Sequence, residues 1–224
     1  MANKEVLQRM YEIIDERGLP ESYFFALAAN AGAESMFNPT ARQKGSKQNI
    51  PLADYLAGQQ SGRGYGLFQL DDSKRRAYGQ YLSITGLEDG IDSQVNFVLD
   101  DIAKALPKEI NQGSVMGHGN ADRLSKKLAN AKSNQEAMSA YAYDYEKAGT
   151  LKDAAEMQRR GEHLATVESF YKENFSAPVQ QETRMADASG VLQQPQIVKE
   201  RPKAHRFSVD ENGFVTINLV GEML

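Results

Sequence analysis

Apolar residues recur at helical spacing along most of the first 175 residues. Over residues 5–17 they fall on one side of a predicted helix, which Gly18 ends. The clearest amphipathic pattern runs over residues 90–106 and stops at Pro107. Other helices are predicted over residues 20–36, 74–82, 121–129, 134–147 and 152–174. The pattern therefore predicts a mostly helical domain over residues 1–175.

The sequence changes character after Phe175. Residues 176–203 are rich in Gln, Glu and Pro and poor in aromatic residues, which is typical of a flexible linker. Residues 204–224 carry two strand-like runs on either side of Asn212-Gly213, a pair suited to a tight turn, so a β-hairpin is predicted. An isolated hairpin is marginal in water. We therefore expect it to dock on a partner or on another copy of the chain, or else to pack on domain 1–175.

Glu34 is the leading candidate for acid chemistry. It lies near the C-terminal end of the predicted helix 20–36, about 60° around the helix from Ala31 and at the edge of the apolar stripe. A carboxyl group there is partly desolvated, and the helix C-terminus also disfavours its charged form, as a general acid requires. The alternative is a helix-end carboxylate that bonds a loop amide.

A glycine-rich segment about thirty residues later is the second candidate region. Gly64 and Gly66 allow a substrate to lie close to the backbone. Tyr65 and Phe68 supply apolar surface, and Gln69 supplies hydrogen-bond donors and an acceptor.

Both regions carry a family resemblance. Residues 33–39, read Ala-Glu-Ser-Met-Phe-Asn-Pro, and residues 64–69, read Gly-Tyr-Gly-Leu-Phe-Gln, resemble the E-S-x-(F/L)-N-P and G-x-G-L-x-Q blocks of the lysozyme and lytic-transglycosylase superfamily. The phage tail lysozyme branch is the most similar. It also has an arginine-rich helix, a Gln-containing helix and a tyrosine-rich segment, which match residues 73–78, 92–97 and 143–149. The resemblance covers roughly residues 5–173.

The resemblance implies a lysozyme-like α+β fold, in which residues 40–63 form a small lobe over a cleft and residues 65–70 form a short strand. It also implies cleavage of the bond between N-acetylmuramic acid and N-acetylglucosamine, with Glu34 as the acid. Gln69 would bond a substrate hydroxyl or amide, and Gly64 and Tyr65 would line a sugar subsite. A tyrosine from the later segment, best matched by Tyr145, would reach the cleft.

A second carboxylate is expected for glycoside hydrolysis. The candidates are Asp71, Asp72, Asp144 and Glu146, although Asp71 and Asp72 are also suited to cap the next helix. We expect Asp71 to lie beside the substrate. If no carboxylate faces Glu34, the resemblance implies either inversion through a loosely held water or the lytic-transglycosylase route. In that route Glu34 protonates the leaving oxygen and then takes the proton of the sugar's own 6-hydroxyl.

Composition and the absence of known motifs exclude several other classes of function. The chain has 224 residues, no cysteine and a net charge of −4, which excludes thiol chemistry and argues against a nucleic-acid partner. Nucleotide-binding, serine-hydrolase and zinc-protease motifs are absent from the sequence. The histidines at positions 118, 163 and 205 are widely scattered, so neither a metal site nor a cofactor is expected.

The N-terminal residues lead directly into an amphipathic helix, so we expect no signal peptide and no membrane span. The predicted function is that of a virion-associated peptidoglycan glycosidase of a phage tail, with glycan strands as substrate and other tail proteins as partners through the C-terminal tail. The main alternative is a non-catalytic tail protein, derived from a lysozyme, that binds glycan or a structural partner. Peptide-bond cleavage on the same scaffold is a third possibility.

Overall fold

The computed structural model describes residues 2–43, 50–58, 63–110, 118–146, 154–176, 207–209 and 215–217. It divides the chain into two units, Met1–Glu173 and Asn174–Leu224. Within the described residues, every helix is too short or too polar to cross a membrane.

The described chain is mostly helical, as the hydrophobic pattern predicts. Its helices are α1 (Ala2–Glu16), α2 (Glu21–Ser35), α3 (Leu52–Leu56), α4 (Asp72–Thr85), α5 (Ile91–Ile102), α6 (His118–Ala129), α7 (Asn134–Tyr141) and α8 (Ala154–Asn174). A π-helical turn, Ala142–Glu146, continues α7 directly. The sequence predicts a single α-helix over residues 134–147, so the π-turn is a difference between expectation and structure.

Helix α2 is the central element of the first unit. It is apolar on all sides, and every residue from Tyr23 to Ala33 is buried. Helices α1, α6 and α7 pack around it. Met36 ends the helix in the left-handed conformation, with φ +55°. Glu34 therefore lies in the last turn of a helix that the core holds firmly in place.

The predicted strand at residues 65–70 is wrong, because this segment is a tight turn. Tyr65 and Leu70 bond to each other through both backbone groups, at 3.1 and 2.9 Å. Gly66 and Gln69 adopt φ values of +75° and +43°, and these left-handed conformations reverse the chain. An isolated bridge joins Tyr65 to Arg42. Residues 44–49 and 59–62 of the predicted lobe lie outside the described residues.

The second unit contains strands β1 (Phe207–Val209) and β2 (Val215–Ile217). They pair antiparallel, with Phe207 opposite Ile217 and Val209 opposite Val215. Residues 177–203, which make up nearly all of the predicted linker, lie outside the described residues. The expected docking of the tail stays a prediction, as do the domain boundaries at 175/176 and 203/204.

Candidate active site

A polar cleft of about 260 Å³ opens beside the last turn of α2. Glu34 lines it, and its side chain is 23% exposed. Gln69 and Asp71 lie in the same cleft, so the two motif regions of the sequence meet there. The other lining residues are Phe68, Leu70, Lys74, Glu146, Glu156, Arg159 and Arg160.

Arg160, on α8, connects the carboxyl groups of this cleft. Its side chain is 1% exposed, and it donates hydrogen bonds to Asn30 Oδ1 and, at 2.5 Å, to Glu34 Oε1. The same nitrogen, Nη2, lies 3.0 Å from Glu146 Oε2 and 3.1 Å from Glu156 Oε1. A buried guanidinium costs several kcal/mol unless it is paired. Three carboxyl groups around one cation supply that pairing.

Sequence reasoning missed Arg160, although the sequence held a signal for it. Position 160 continues the helical spacing of the apolar residues Met157 and Leu164, so it falls on the core side of α8. A charged residue within an apolar stripe needs a buried partner of opposite charge. The structure supplies Glu34 as one such partner.

Gly32 lets α8 approach α2 closely enough for this contact. A Cβ atom added at Gly32 would lie only 2.7 Å from His163 Nδ1 and 2.7 Å from Phe37 Cζ. Burial lowers the pKa of His163, which suits its position against these apolar neighbours. Because Gly32 precedes Glu34 by two residues and Arg160 precedes His163 by three, the close approach brings Arg160 to Glu34.

The π-turn brings a second carboxyl group to Glu34. A π-turn takes one more residue per hydrogen-bonded turn than an α-helix, so it rotates the residues that follow. Glu146 ends this turn with its side chain 9% exposed. Glu34 Oε1 and Glu146 Oε2 lie 2.5 and 3.0 Å from the same nitrogen, so these two oxygens are at most 5.5 Å apart. Of the four candidates for a second carboxylate, Glu146 is the one on this guanidinium.

The ionisation of Glu146 reflects that position. Burial raises the pKa of Glu146 to about 8, and the neighbouring Glu34 carboxylate acts in the same direction. Arg160 and Lys74 oppose the shift, since nearby cations favour the charged form. A carboxyl group that keeps its proton near neutral pH is therefore present within the cleft.

The other three candidates have different partners. Asp71 is exposed, lines the cleft and caps α4 by accepting a hydrogen bond from the backbone N–H of Lys74. Asp72 pairs at 3.0 Å with Arg75, whose side chain is buried rather than at the surface. Asp144 forms salt bridges with two basic side chains of α6. The predicted role of Asp71 beside the substrate stays a prediction.

Gln69 lines the cleft but also holds its own turn together. Its side-chain amide donates to the carbonyl oxygens of Ala41 at 3.2 Å and Gly66 at 3.0 Å. Gly64 packs behind it, and a Cβ at position 64 would lie 2.9 Å from Gln69 Cβ. The conformation of Gln69 is therefore fixed before any substrate arrives.

The two predicted tyrosines are buried beside the cleft and are not among its described lining residues. Tyr65 donates a hydrogen bond to Asp89 at 2.5 Å. Tyr145 stacks on Tyr141 with ring centroids 4.9 Å apart, and Lys74 Nζ lies 3.9 Å from the centroid of the Tyr145 ring. Burial raises the pKa of Tyr145 well above its usual value. Substrate contacts by Gly64, Tyr65 and Tyr145 stay predictions.

Gln94, on α5, ties the two motif regions to each other. Its Oε1 accepts a hydrogen bond from the backbone N–H of Leu67 at 2.8 Å, and its Nε2 donates to the carbonyl of Pro39 at 2.7 Å. Leu67 belongs to the glycine-rich turn and Pro39 ends the segment that begins at Ala33. A buried amide that satisfies both regions fixes their separation.

Comparison with known proteins identifies the family. The family model described as phage tail lysozyme matches residues 5–172, about three quarters of the chain. No curated protein and no solved structure matches. The matched span includes Glu34, the glycine-rich turn, the π-turn and Arg160. The chain belongs to the phage tail lysozyme family.

Proposed function

We propose that this protein cleaves the glycosidic bond between N-acetylmuramic acid and N-acetylglucosamine in bacterial peptidoglycan, with Glu34 as the general acid. The position of Glu34 carries the proposal. Its carboxyl group is partly exposed at the end of a buried helix and faces a polar cleft, where Gln69 from the second motif region also lies. Membership of a phage tail lysozyme family supports the same substrate.

The proposed chemistry uses Glu34 twice. Its proton goes to the glycosidic oxygen as the bond to C1 breaks. The resulting carboxylate then takes a proton from the group that attacks C1. That group is a water in hydrolysis and the 6-hydroxyl of the same sugar in anhydro formation. Gln69 and Asp71 are proposed to bond the sugar in the cleft, and Gly64, Tyr65 and Tyr145 are proposed to complete its binding site.

One observation favours the non-catalytic alternative. Arg160 donates a hydrogen bond to Glu34, and a cation at 2.5 Å stabilises a carboxylate, which cannot donate a proton. A Glu34 side chain held in this ion pair would suit a protein that binds glycan without cutting it. The neighbouring Glu146 acts against this, since a second carboxyl group on the same cation favours keeping a proton there.

Product analysis on purified peptidoglycan sacculi distinguishes these functions. The wild-type protein is expected to release muropeptides, and mass spectrometry shows whether each cleavage adds one water or leaves an anhydro sugar. Glu34→Gln is expected to bind sacculi but release no fragments. Equal release by both forms would exclude Glu34 as the acid. Freed stem peptides from intact glycan strands would instead identify a peptidase.

We also propose that the protein works as a component of the phage tail. The family supports a tail context for residues 5–172. Residues 204–224 are proposed to attach to another tail protein, with residues 176–203 as a flexible tether from domain 1–175. The short antiparallel pair β1–β2 supports this, because so small a sheet gains stability when a partner covers it.

A further inference from the structure

Glu34 and Glu146 contact the same nitrogen of one buried arginine. Arg160 Nη2 lies 2.5 Å from Glu34 and 3.0 Å from Glu146. The three residues come from α2, the π-turn and α8, so their meeting depends on the tertiary fold. Glu146 is the more enclosed carboxyl group, with 9% of its side chain exposed against 23% for Glu34. Glu34 is therefore the member of the pair that a substrate reaches first.

Two carboxylates at this separation repel strongly in a poorly hydrated site, so the pair favours a state with one proton. Arg160 offsets part of the repulsion but is shared with Glu156, which also accepts a hydrogen bond from Arg159 at 2.8 Å. The titratable and charged groups that act on Glu146 or line the cleft with it are Glu34, Asp71, Lys74, Tyr141, Tyr145, Glu156, Arg159 and Arg160.

We propose that Glu34 and Glu146 share a single proton and act as one acid–base unit, with Arg160 setting their separation. This inference rests on the proposed glycosidase function. Glu34 is the catalytic residue, because it meets the substrate. Glu146 is a positioning residue that acts through Glu34, by making the doubly ionised state of the pair unfavourable.

The shared proton serves both halves of the reaction. When the C1–O bond breaks, the proton leaves the pair for the glycosidic oxygen, which becomes a hydroxyl of the departing sugar. Both carboxyl groups are then ionised beside one guanidinium. The attacking hydroxyl forms the new C1–O bond and returns its proton to Glu34, which restores the singly protonated pair. Repulsion within the doubly ionised pair favours this second proton transfer.

The raised pKa of Glu146 supports the proposal. In the wild type the pair loses its last proton only at about pH 8, so the acid form persists through neutral pH. Gln at position 146 removes the group whose pKa lies at about 8 and leaves Glu34 as the one carboxyl group of the pair on Arg160.

The test is the pH profile of glycan release by Glu146→Gln. Its alkaline limb is expected to move well below the wild-type position, because the group whose pKa lies at about 8 is gone. Activity at pH 7 then falls about 100-fold but returns at acid pH to within about tenfold of wild type. A uniform loss at every pH would show a purely structural role and overturn the proposal. An unmoved alkaline limb would overturn it as well.

Three variants serve as controls. Glu156→Gln removes another carboxyl group from the same nitrogen of Arg160, so more of the guanidinium charge acts on the pair, and the alkaline limb is expected to move down by less than in Glu146→Gln. Asp144→Asn alters the same π-turn at a buried carboxyl group that pairs with Arg123 and Lys127, and it is expected to leave the alkaline limb at its wild-type position. Glu34→Gln separates the two claims. If it stays active, the proposed function fails. If Glu34→Gln is inactive while Glu146→Gln keeps the wild-type pH profile, the proposed function stands and only the proposal of a shared proton fails.

A second measurement uses the wild-type protein and therefore does not depend on whether any variant folds. In the full-length protein with ¹³C-labelled glutamate side chains, NMR titration is expected to show one cleft carboxyl carbon that changes ionisation at about pH 8. The absence of any glutamate step above pH 6 in the folded protein would overturn the shared proton, whatever the variants do.

Discussion

Gly66 and Gly86 have similar φ values but different surroundings. Their φ values are +75° and +70°, in the region that favours glycine. A Cβ at Gly86 would meet nothing within 4 Å, whereas one at Gly66 would collide with the side-chain amide of Gln94. That amide holds the turn that carries Gln69. Substitution of both glycines by alanine therefore distinguishes the cost of backbone strain alone, at position 86, from the cost of strain plus a steric clash, at position 66.

Gly66→Ala is expected to lower the free energy of unfolding by about 2–4 kcal/mol, since backbone strain adds to overpacking against Gln94. Gly86→Ala, with strain alone, is expected to cost about 1 kcal/mol. Urea unfolding of both variants measures the difference. Equal losses would mean that the contact between the turn and Gln94 does not constrain position 66.

The position of a candidate catalytic residue could be predicted from the sequence only where it depends on residues that are close to it in the chain. Glu34 follows residues 23–33, which are mostly apolar, so its place at the end of a buried helix could be predicted from them. The pairing of Glu34 with Arg160 could not, because the two lie far apart in sequence and meet only when α8 packs on α2. Tyr145 looked suited to a cleft, but its ring is buried against Tyr141.

At the scale of elements, the contact between α2 and α8 decides the geometry of the cleft. Gly32, where the two helices touch, has no room for a larger side chain. Gly161 lies on α8, next to Arg160, and a Cβ there would meet nothing within 4 Å. Both glycines lie inside helices, so they form a matched pair for testing helix approach against helix propensity.

Gly32→Ala is expected to destabilise the protein by about 1–3 kcal/mol and to slow glycan release, because α8 must move away and carry Arg160 from Glu34. Gly161→Ala is expected to stabilise it by about 0.5–1 kcal/mol, since alanine favours the helix. Denaturant unfolding and release assays on both variants give the comparison. A neutral effect of Gly32→Ala would contradict the close approach of the two helices.

The elements themselves could largely be predicted, and the exceptions have physical causes. The apolar spacing over residues 134–147 is compatible with a continuous α-helix, and spacing alone does not reveal a π-turn. The 65–70 segment has the aromatic and apolar residues of a strand. The chain reverses there because both Gly66 and Gln69 adopt left-handed backbone conformations. Hydrogen bonds from the side chain of Gln69 favour that conformation at position 69.

At the scale of the whole molecule, Glu146 links the cleft to stability. An unfolded chain releases the Glu146 proton near pH 4.5, whereas the folded protein holds it to about pH 8. Between these values the folded state binds more protons than the unfolded state. Stability from this group is therefore lost as the pH rises through that window. The hydrogen bonds from Arg9 lower the pKa of Asp92. The contribution of Asp92 to stability is therefore lost only at more acid pH, as the pH falls.

Glu146→Gln is accordingly expected to become more stable relative to the wild type as the pH is raised from 5 to 8. The free energy of unfolding of both proteins, measured in urea at several pH values, checks this. Parallel pH dependence of the two proteins would contradict a buried, protonated Glu146. Asp144→Asn provides the comparison for a buried carboxyl group of the same turn that pairs with two basic side chains of α6.

The mostly helical fold of the first unit could be predicted because amphipathic spacing recurs along it and residues 23–33 of α2 are mostly apolar. The cleft depends on contacts between residues that are distant in sequence, such as Gln94 with Pro39 and Leu67. Spacing within one helix carries no information about such contacts. For the predicted linker and most of the tail, the proposed tethering role rests on composition alone.

The most direct measurement is the initial rate of glycan release from purified sacculi by the wild type and Glu34→Gln, at equal concentration and with equal folded fraction. Removing a general acid is expected to slow release by about 100-fold or more. Release by Glu34→Gln at a rate close to that of the wild type would contradict Glu34 as the proton donor.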